Sequence, residues 1–349
     1  MEIRPKHIFI GLAIAAGLAA VFIAGRLACH AWYDRKAPNF QGVTELYVYP
    51  WMEPAQVVDS ILASGRVKSP KSLARVFADV KTMEVGHYRI DSTCSSMYVA
   101  RMLSKGWQTP VNLTLSGAIR TPGVLARKIG AQMLADSADL ARLLYSDDSL
   151  SVYGIDCKQL FTLIIPDTYQ MRWTDSSREI LDRLVKERNA WWTAQRKEAA
   201  RKQGLTEQEV STLASIVSGE TRYVPEQPVI AGVYLNRLRM GMKLQADPTV
   251  AYCFDYEPRR ILKKHLEVDS PYNTYKYLGL PPGPIACPPK SCLEAVLHPQ
   301  SSNYIYFCAD PSFNGSHRFA ATYTEHLANA RAFQKALTER QRAAAGGGK

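Results

Sequence analysis

The seven cysteines of this 349-residue chain, at positions 29, 94, 157, 253, 287, 292 and 308, never form a CxxC pair. No histidine stands beside them at metal-ligand spacing, so zinc is not expected, and neither is any other cofactor. If the chain is exported, the six cysteines beyond the N-terminal apolar run are free to pair, with a connectivity that spacing does not give. Dense runs of one charge are also missing. The tightest, residues 196–202 (RKEAARK), is broken by Glu198 and two alanines and reads as a solvated helix face. The formal charge of +11 therefore suits anionic surfaces in general, such as lipid headgroups or a carboxylate-bearing wall polymer, and no nucleic-acid partner is expected. Nor is the chain poor in apolar residues. With 46% hydrophobic and 21% charged residues it is a globular protein, long enough for an anchor and two or three compact units.

What is present begins with residues 8–25 (IFIGLAIAAGLAAVFIAG), 18 residues without a charge and just long enough to span a bilayer. An uncleaved single-pass helix is the favoured reading over a cleaved signal peptide, whose apolar stretch is usually shorter. Ala28 before Cys29 hints at a lipoprotein, but Arg26 stands where a lipobox wants an aliphatic residue. Flanking charge does not fix orientation, because Arg4 and Lys6 precede the run and Arg26, Arg35 and Lys36 follow it.

After a juxtamembrane linker (26–44), residues 45–49 (ELYVY) read as a strand. A helix from Glu53 carries Val57, Ile61 and Leu62 on one side. A second helix opens at Ser69-Pro70, and 85–90 (VGHYRI) closes a strand–helix–helix–strand unit. A related order follows, with a strand at 112–115, helices from Thr121-Pro122 and over 139–145, and a second strand at 160–165 (LFTLII). Residues 176–202 read as one long helix with Trp191 and Trp192 near its middle; core packing explains the pair better than sugar stacking. Thr206 and Glu209 form a capping box that starts the next helix. Another helix follows Pro225 and Pro228 and stops at Gly241. Long loops rich in Pro, Gly, Tyr and Asn come next, then a hairpin near 303–308 and 316–320. A last helix spans 325–340, and residues 341–349 are expected to be disordered. The fold class expected is α+β.

The chemistry concentrates in residues 213–223 (LASIVSGETRY). Leu213, Ile216 and Val217 repeat at helical spacing, and the same inward stripe arrives two turns on at Glu220. A carboxylate held among apolar groups is costly to ionise, so its pKa rises, which suits a general acid acting on a leaving oxygen. Pairing with Arg222 or Arg237, or a fraying helix end, explains the same residue without catalysis. Asp247, just before Pro248, is either a second carboxylate or a turn former. Asn236 falls on the stripe of Val229 and Val233, as a site residue or as a satisfied core amide.

LASIVSGETRY, VYLNRLRMGMKLQADPTVAY, YNTYKYLGLPPGPI and HPQSSNYIYFCAD together closely resemble the endolytic murein transglycosylase (MltG, YceG-like) family. The resemblance is dense over 213–310, weaker over 316–326, and survives upstream in VGHYRI and IPDTYQM. It implies a LysM-like glycan-contacting module at 45–111, a second α+β unit with a connecting helix at 112–203, and a catalytic domain at 204–340. It implies a short cytoplasmic lead (1–7), inner-membrane anchoring with the catalytic domain in the periplasm, and peptidoglycan strands as substrate, with cell-wall synthases as a further partner class. The family's catalytic acid falls on Glu220. It would protonate the MurNAc–GlcNAc oxygen in nascent strands, and the muramyl 6-hydroxyl would close a 1,6-anhydro ring, ending elongation. Gln245, Asp247, Tyr272, Asn273, Tyr275 and Asn236 are the substrate-binding candidates. Many relatives carry an acid two positions before the catalytic Glu, where this chain has Ser218. A non-catalytic glycan-binding scaffold for cell-wall synthases and a hydrolytic muramidase using Glu220 with Asp247 are the competing readings.

Overall fold

A computed structural model describes residues 5–258 and 260–346. Its contacts divide the chain into two units, Met1–Asn112 with Gln170–Thr174, and Leu113–Tyr169 with Asp175–Lys349.

In the first unit the apolar run belongs to a longer helix, α1 (Pro5–Lys36). The expected linker is therefore helical through Lys36, more than half its length, because nothing in residues 26–36 breaks the helix and its far end is tied down. Asp34 accepts hydrogen bonds from Arg75 (2.7 Å) and from the buried Ser72 hydroxyl (2.6 Å). Strand β1 (Thr44–Val48) pairs antiparallel with β2 (Gly86–Ile90), Leu46 opposite Tyr88. Between them run α2 (Pro54–Ala63) and α3 (Pro70–Phe77), and α4 (Ser96–Ser104) follows. Glu53 and Gln56 form a capping box at α2, and the Ser69 hydroxyl caps α3. Val57 and Ile61 enter the core with Leu73, Phe77 and Tyr88, whereas Leu62 faces outward. The strand–helix–helix–strand order is thus present, and α4 completes its core.

Strands β3 (Val111–Thr114) and β4 (Thr168–Met171) pair with each other. The expected strand at 160–165 is instead the end of a 3-10 turn, Cys157–Thr162, followed by irregular chain. Leu160, Phe161, Leu163, Ile164 and Ile165 are all buried. A short run buried on every side has no periodicity with which to tell a strand from a turn.

The second unit is mainly helical. It contains α5 (Pro122–Gly130), α6 (Ser137–Leu144), α7 (Asp147–Ser151), α8 (Ser177–Trp191), α9 (Ala194–Lys202), α10 (Glu207–Glu220) and α11 (Gln227–Arg239). α12 (Asp247–Tyr252) and α13 (Lys290–Leu297) follow, then the hairpin β5 (Tyr306–Ala309) and β6 (His317–Ala320), and α14 (Tyr323–Gly346). The long helix expected over 176–202 breaks at Trp192, which leaves helical geometry to bury its ring, and Thr193 caps the restart. α14 runs past 340 to Gly346, which takes in the first residues of the expected tail; residues 347–349 lie outside the described residues. The core packs α10, α11 and α13 through Leu213, Ile216, Val217, Ile230, Tyr234, Leu293 and Val296. All seven cysteines are free thiols.

Candidate active site

Helix α10 starts where its capping box puts it, with both reciprocal bonds between Thr206 and Glu209 made. Fourteen residues later it ends on Glu220, because Thr221 is extended. Glu220 thus occupies the C-terminal position of a helix, where backbone carbonyls disfavour a negative charge. Its carboxyl is pushed up to about 7, first by burial and then by repulsion from Asp247; a hydrogen bond from Tyr234 and the charge of Arg237 pull the other way.

Tyr234 lies fully buried on α11, and its hydroxyl donates to Glu220 Oε1 at 2.5 Å. Oε2 has no hydrogen-bond partner among the described residues. Burial and the neighbouring Glu220 hold the Tyr234 phenol far above its usual range, so it stays a donor. Arg237, one of the two arginines offered by the sequence as a partner for Glu220, is buried and gives its hydrogen bonds to main-chain carbonyls, Nε to Ile305 (2.6 Å) and Nη1 to Leu244 (2.7 Å). It tempers the field at Glu220 without forming an ion pair with it.

Asp247 comes beside Glu220 for a steric reason. Gly219 has no side chain, and a Cβ there would sit 2.6 Å from Cβ of Pro248. The end of α10 therefore rests directly on the first turn of α12. Asp247 is exposed and accepts a 2.7 Å hydrogen bond from the Tyr275 hydroxyl, whose own pKa is raised first by burial and then by Asp247. The two loops carrying these residues are stitched underneath. The Thr274 hydroxyl meets that of Thr249 (2.9 Å) and accepts from Ala246 N–H (3.0 Å), while Gln245 N–H donates to Thr274 O (3.1 Å). Gln245 pays for this stitching with φ of 50°, a left-handed conformation that a non-glycine residue holds only under surrounding constraint, and its side chain is exposed. A third loop is fixed to α10 by Ile285 N–H donating to the buried Ser215 hydroxyl (3.0 Å).

Six of the seven residues singled out in the sequence, Glu220, Asp247, Tyr275, Gln245, Tyr272 and Asn273, belong to α10, α12 and these loops, and Asn236 lies on α11. Tyr272 is buried with its ring against Tyr252 (4.5 Å). Both asparagines spend their amide hydrogens on main-chain carbonyls, Asn273 fully buried and Asn236 half-buried. Asn273 spends its amide hydrogens on Leu266 O and Val268 O (2.8 Å each). Asn236 spends its own on Ser302 O and Tyr304 O (2.9 Å each), on a different side of α11 from Tyr234. Sequence reasoning passed over Tyr234 because it sits in an apolar stretch, where a tyrosine reads as packing. The available signal was its spacing of four from Ile230, which places a phenol on the face turned toward α10.

A model of the YceG-like family matches residues 46–332. The chain belongs to the YceG-like family. Among curated relatives, a Bacillus subtilis protein named endolytic murein transglycosylase is 40% identical over 164 residues, 47% of this chain and 45% of that protein. A Streptococcus pneumoniae protein of the same name is 27% identical over 175 residues, 48% of this chain and 31% of that protein. This YceG-like chain thus matches less than half the length of either relative. The crystal structure of a YceG-like protein from Listeria monocytogenes is similar with a TM-score of 0.55 and 26% identity, covering 82% of this chain and 98% of that one. Ser218, two positions before Glu220, interacts through its side chain with Cys292 of α13.

Proposed function

We propose that this chain is a single-pass inner-membrane lytic transglycosylase, with its catalytic unit in the periplasm, that cuts the MurNAc–GlcNAc bond within nascent glycan strands. The observation that carries this reading is the Glu220 carboxyl, raised to about 7, with one oxygen capped by a buried phenol. A group with that pKa exists in both forms at neutral pH, so it can donate and accept a proton within one cycle. Glu220 gives its proton to the glycosidic oxygen as the bond to C1 breaks, leaving positive charge on C1. The Asp247 carboxylate, oriented by Tyr275, stabilises that charge. Glu220, now ionised and supported by Tyr234, takes the proton of the muramyl 6-hydroxyl as O6 bonds to C1. The anhydro ring closes, no water is consumed, the acid is restored, and the strand is ended.

The relatives' printed name supports murein as the substrate class, and α1 contains a stretch, Leu12–Lys36, apolar enough to cross a membrane. In this reading Gln245 contacts sugar hydroxyls, Tyr272 shapes the groove wall, and Asn236 and Asn273 position loops. The 45–111 module is LysM-like and contacts glycan. Supporting this, Tyr47, Tyr49 and Trp51 share the outward side of β1 and the turn after it, Tyr49 stacked on Trp51 at 4.7 Å and Trp51 72% exposed. Cell-wall synthases, which make the strands being cut, are the expected neighbours. Mass spectrometry of peptidoglycan digested by the full chain tests the reading. Anhydro ends are expected; reducing ends would establish hydrolysis instead, and intact polymer would establish a non-catalytic scaffold.

A further inference from the structure

Asn236, read from the sequence as a candidate of the cleft, belongs to a second concave surface. It lies two residues beyond Tyr234, about 200° around the helix. Gly232, Asn236 and Arg239 fall at i, i+4 and i+7, one stripe of α11, and this stripe floors a groove of about 630 Å³ closed by the end of α9 and residues 297–302. The groove is built to close tolerance. A Cβ at Gly232 would come within 2.7 Å of Gln300 O, and Gln300 N–H is anchored to Pro228 O (3.0 Å).

Arg239 is held in this groove by neutral groups. Its Nη1 donates to Asn236 Oδ1 and its Nη2 to Gln203 Oε1, each at 3.1 Å, while Asn236 is itself fixed by two carbonyls. Among the described residues Arg239 has no carboxylate partner, and neither does the neighbouring Lys202. The acid on the rim, Glu198, is already engaged by Arg201 at 2.8 Å. An oriented guanidinium with its charge uncompensated, a lysine beside it and amides around both make a pre-organised anion site, and the planar fork of the guanidinium matches a carboxylate.

We propose that this groove binds a carboxylate of the peptide stems attached to the glycan, so that the chain reads peptide substitution at a site separate from Glu220. The ligand class rests on the murein reading above. The site does not rest on catalysis, and it is tested without it. In the full chain carrying Glu220→Gln, in detergent, isothermal titration uses a muramyl peptide with free carboxylates, the same peptide fully amidated, and inorganic phosphate. The free-carboxylate peptide is expected to bind, with amidation weakening it at least tenfold and rising salt weakening it further. Arg239→Gln and Lys202→Gln are each expected to cost about tenfold at an unchanged thermal midpoint, the order of one charged hydrogen bond. Equal binding of the amidated peptide, phosphate binding as tightly as the peptide, or full affinity in Arg239→Gln would overturn the proposal. Each of these results leaves the digestion products of the wild-type chain, and so the lyase reading, to stand or fall separately.

Discussion

A carboxyl at the end of a helix, facing apolar side chains and a second acid, is unstable as an anion, and Glu220 has all three neighbours. The linkage has a definite sign. The folded pKa, about 7, lies above the ordinary 4.5, so the folded state holds this proton more tightly than the unfolded chain. The associated stability is complete below pH 4.5 and is lost as pH rises through 7, about 3 kcal/mol at most from a shift of this size. Glu220→Gln is therefore expected to abolish cleavage, by two to four orders of magnitude on typical acid–base contributions (about 10²–10⁴). It should also raise the thermal midpoint above pH 7 and flatten the loss of stability between pH 4.5 and 8. Unfolding scans across that range check the sign; a variant still active, or less stable at pH 8, contradicts the assignment. Tyr234→Phe removes the bond that pulls the pKa down. The alkaline limb of the pH–rate profile should move upward and kcat should fall, because the ionised intermediate loses its donor. Glu220 was legible in the sequence because helical phase sets where a side chain points. Tyr234 was not, because whether a buried phenol packs or donates depends on what the facing helix brings to it.

At the scale of elements, the site depends on where α10 stops and how closely α12 approaches it. Gly219→Ala would push a methyl into Pro248 and separate Glu220 from Asp247. Overpacking of this kind costs about 1–3 kcal/mol, and displacement of catalytic groups by an ångström costs about 10²-fold in rate. Steady-state assays with thermal unfolding should show a rate loss far larger than the stability loss. Starts of helices could be read directly, at Ser69-Pro70, Thr121-Pro122 and Thr206, because a capping side chain bonds to its own next turn. The breaks were harder. Trp192 interrupts a helix-forming segment to fill the core, and LFTLII is buried all round, so in both places tertiary packing overrode a local preference.

For the whole molecule, the membrane-spanning candidate and the first unit are one continuous piece of structure. Asp34, near the end of α1, is bound by Arg75 and Ser72, and Ser72 contacts Ser96, itself hydrogen-bonded by Asn39. Deleting residues 1–25 should leave this network intact and release the chain from membranes in a folded form. Deleting 1–36 strips the buried hydroxyls of their acceptor, a loss of about 1–3 kcal/mol confined to the first unit. Two-transition calorimetry of both truncations checks this, with the transition of the second unit expected not to move.

The sequence alone determined the apolar helix, the capped helix starts, the phase of Glu220 and the family resemblance, because each rests on neighbours within a few turns or on a pattern of residue types. Only the tertiary structure decided that Tyr234 holds one oxygen of Glu220, that Gly219 lets Asp247 approach, and that Asn236 turns away to seat Arg239. Those pairings join residues from different elements, and their partners are chosen by how the helices pack.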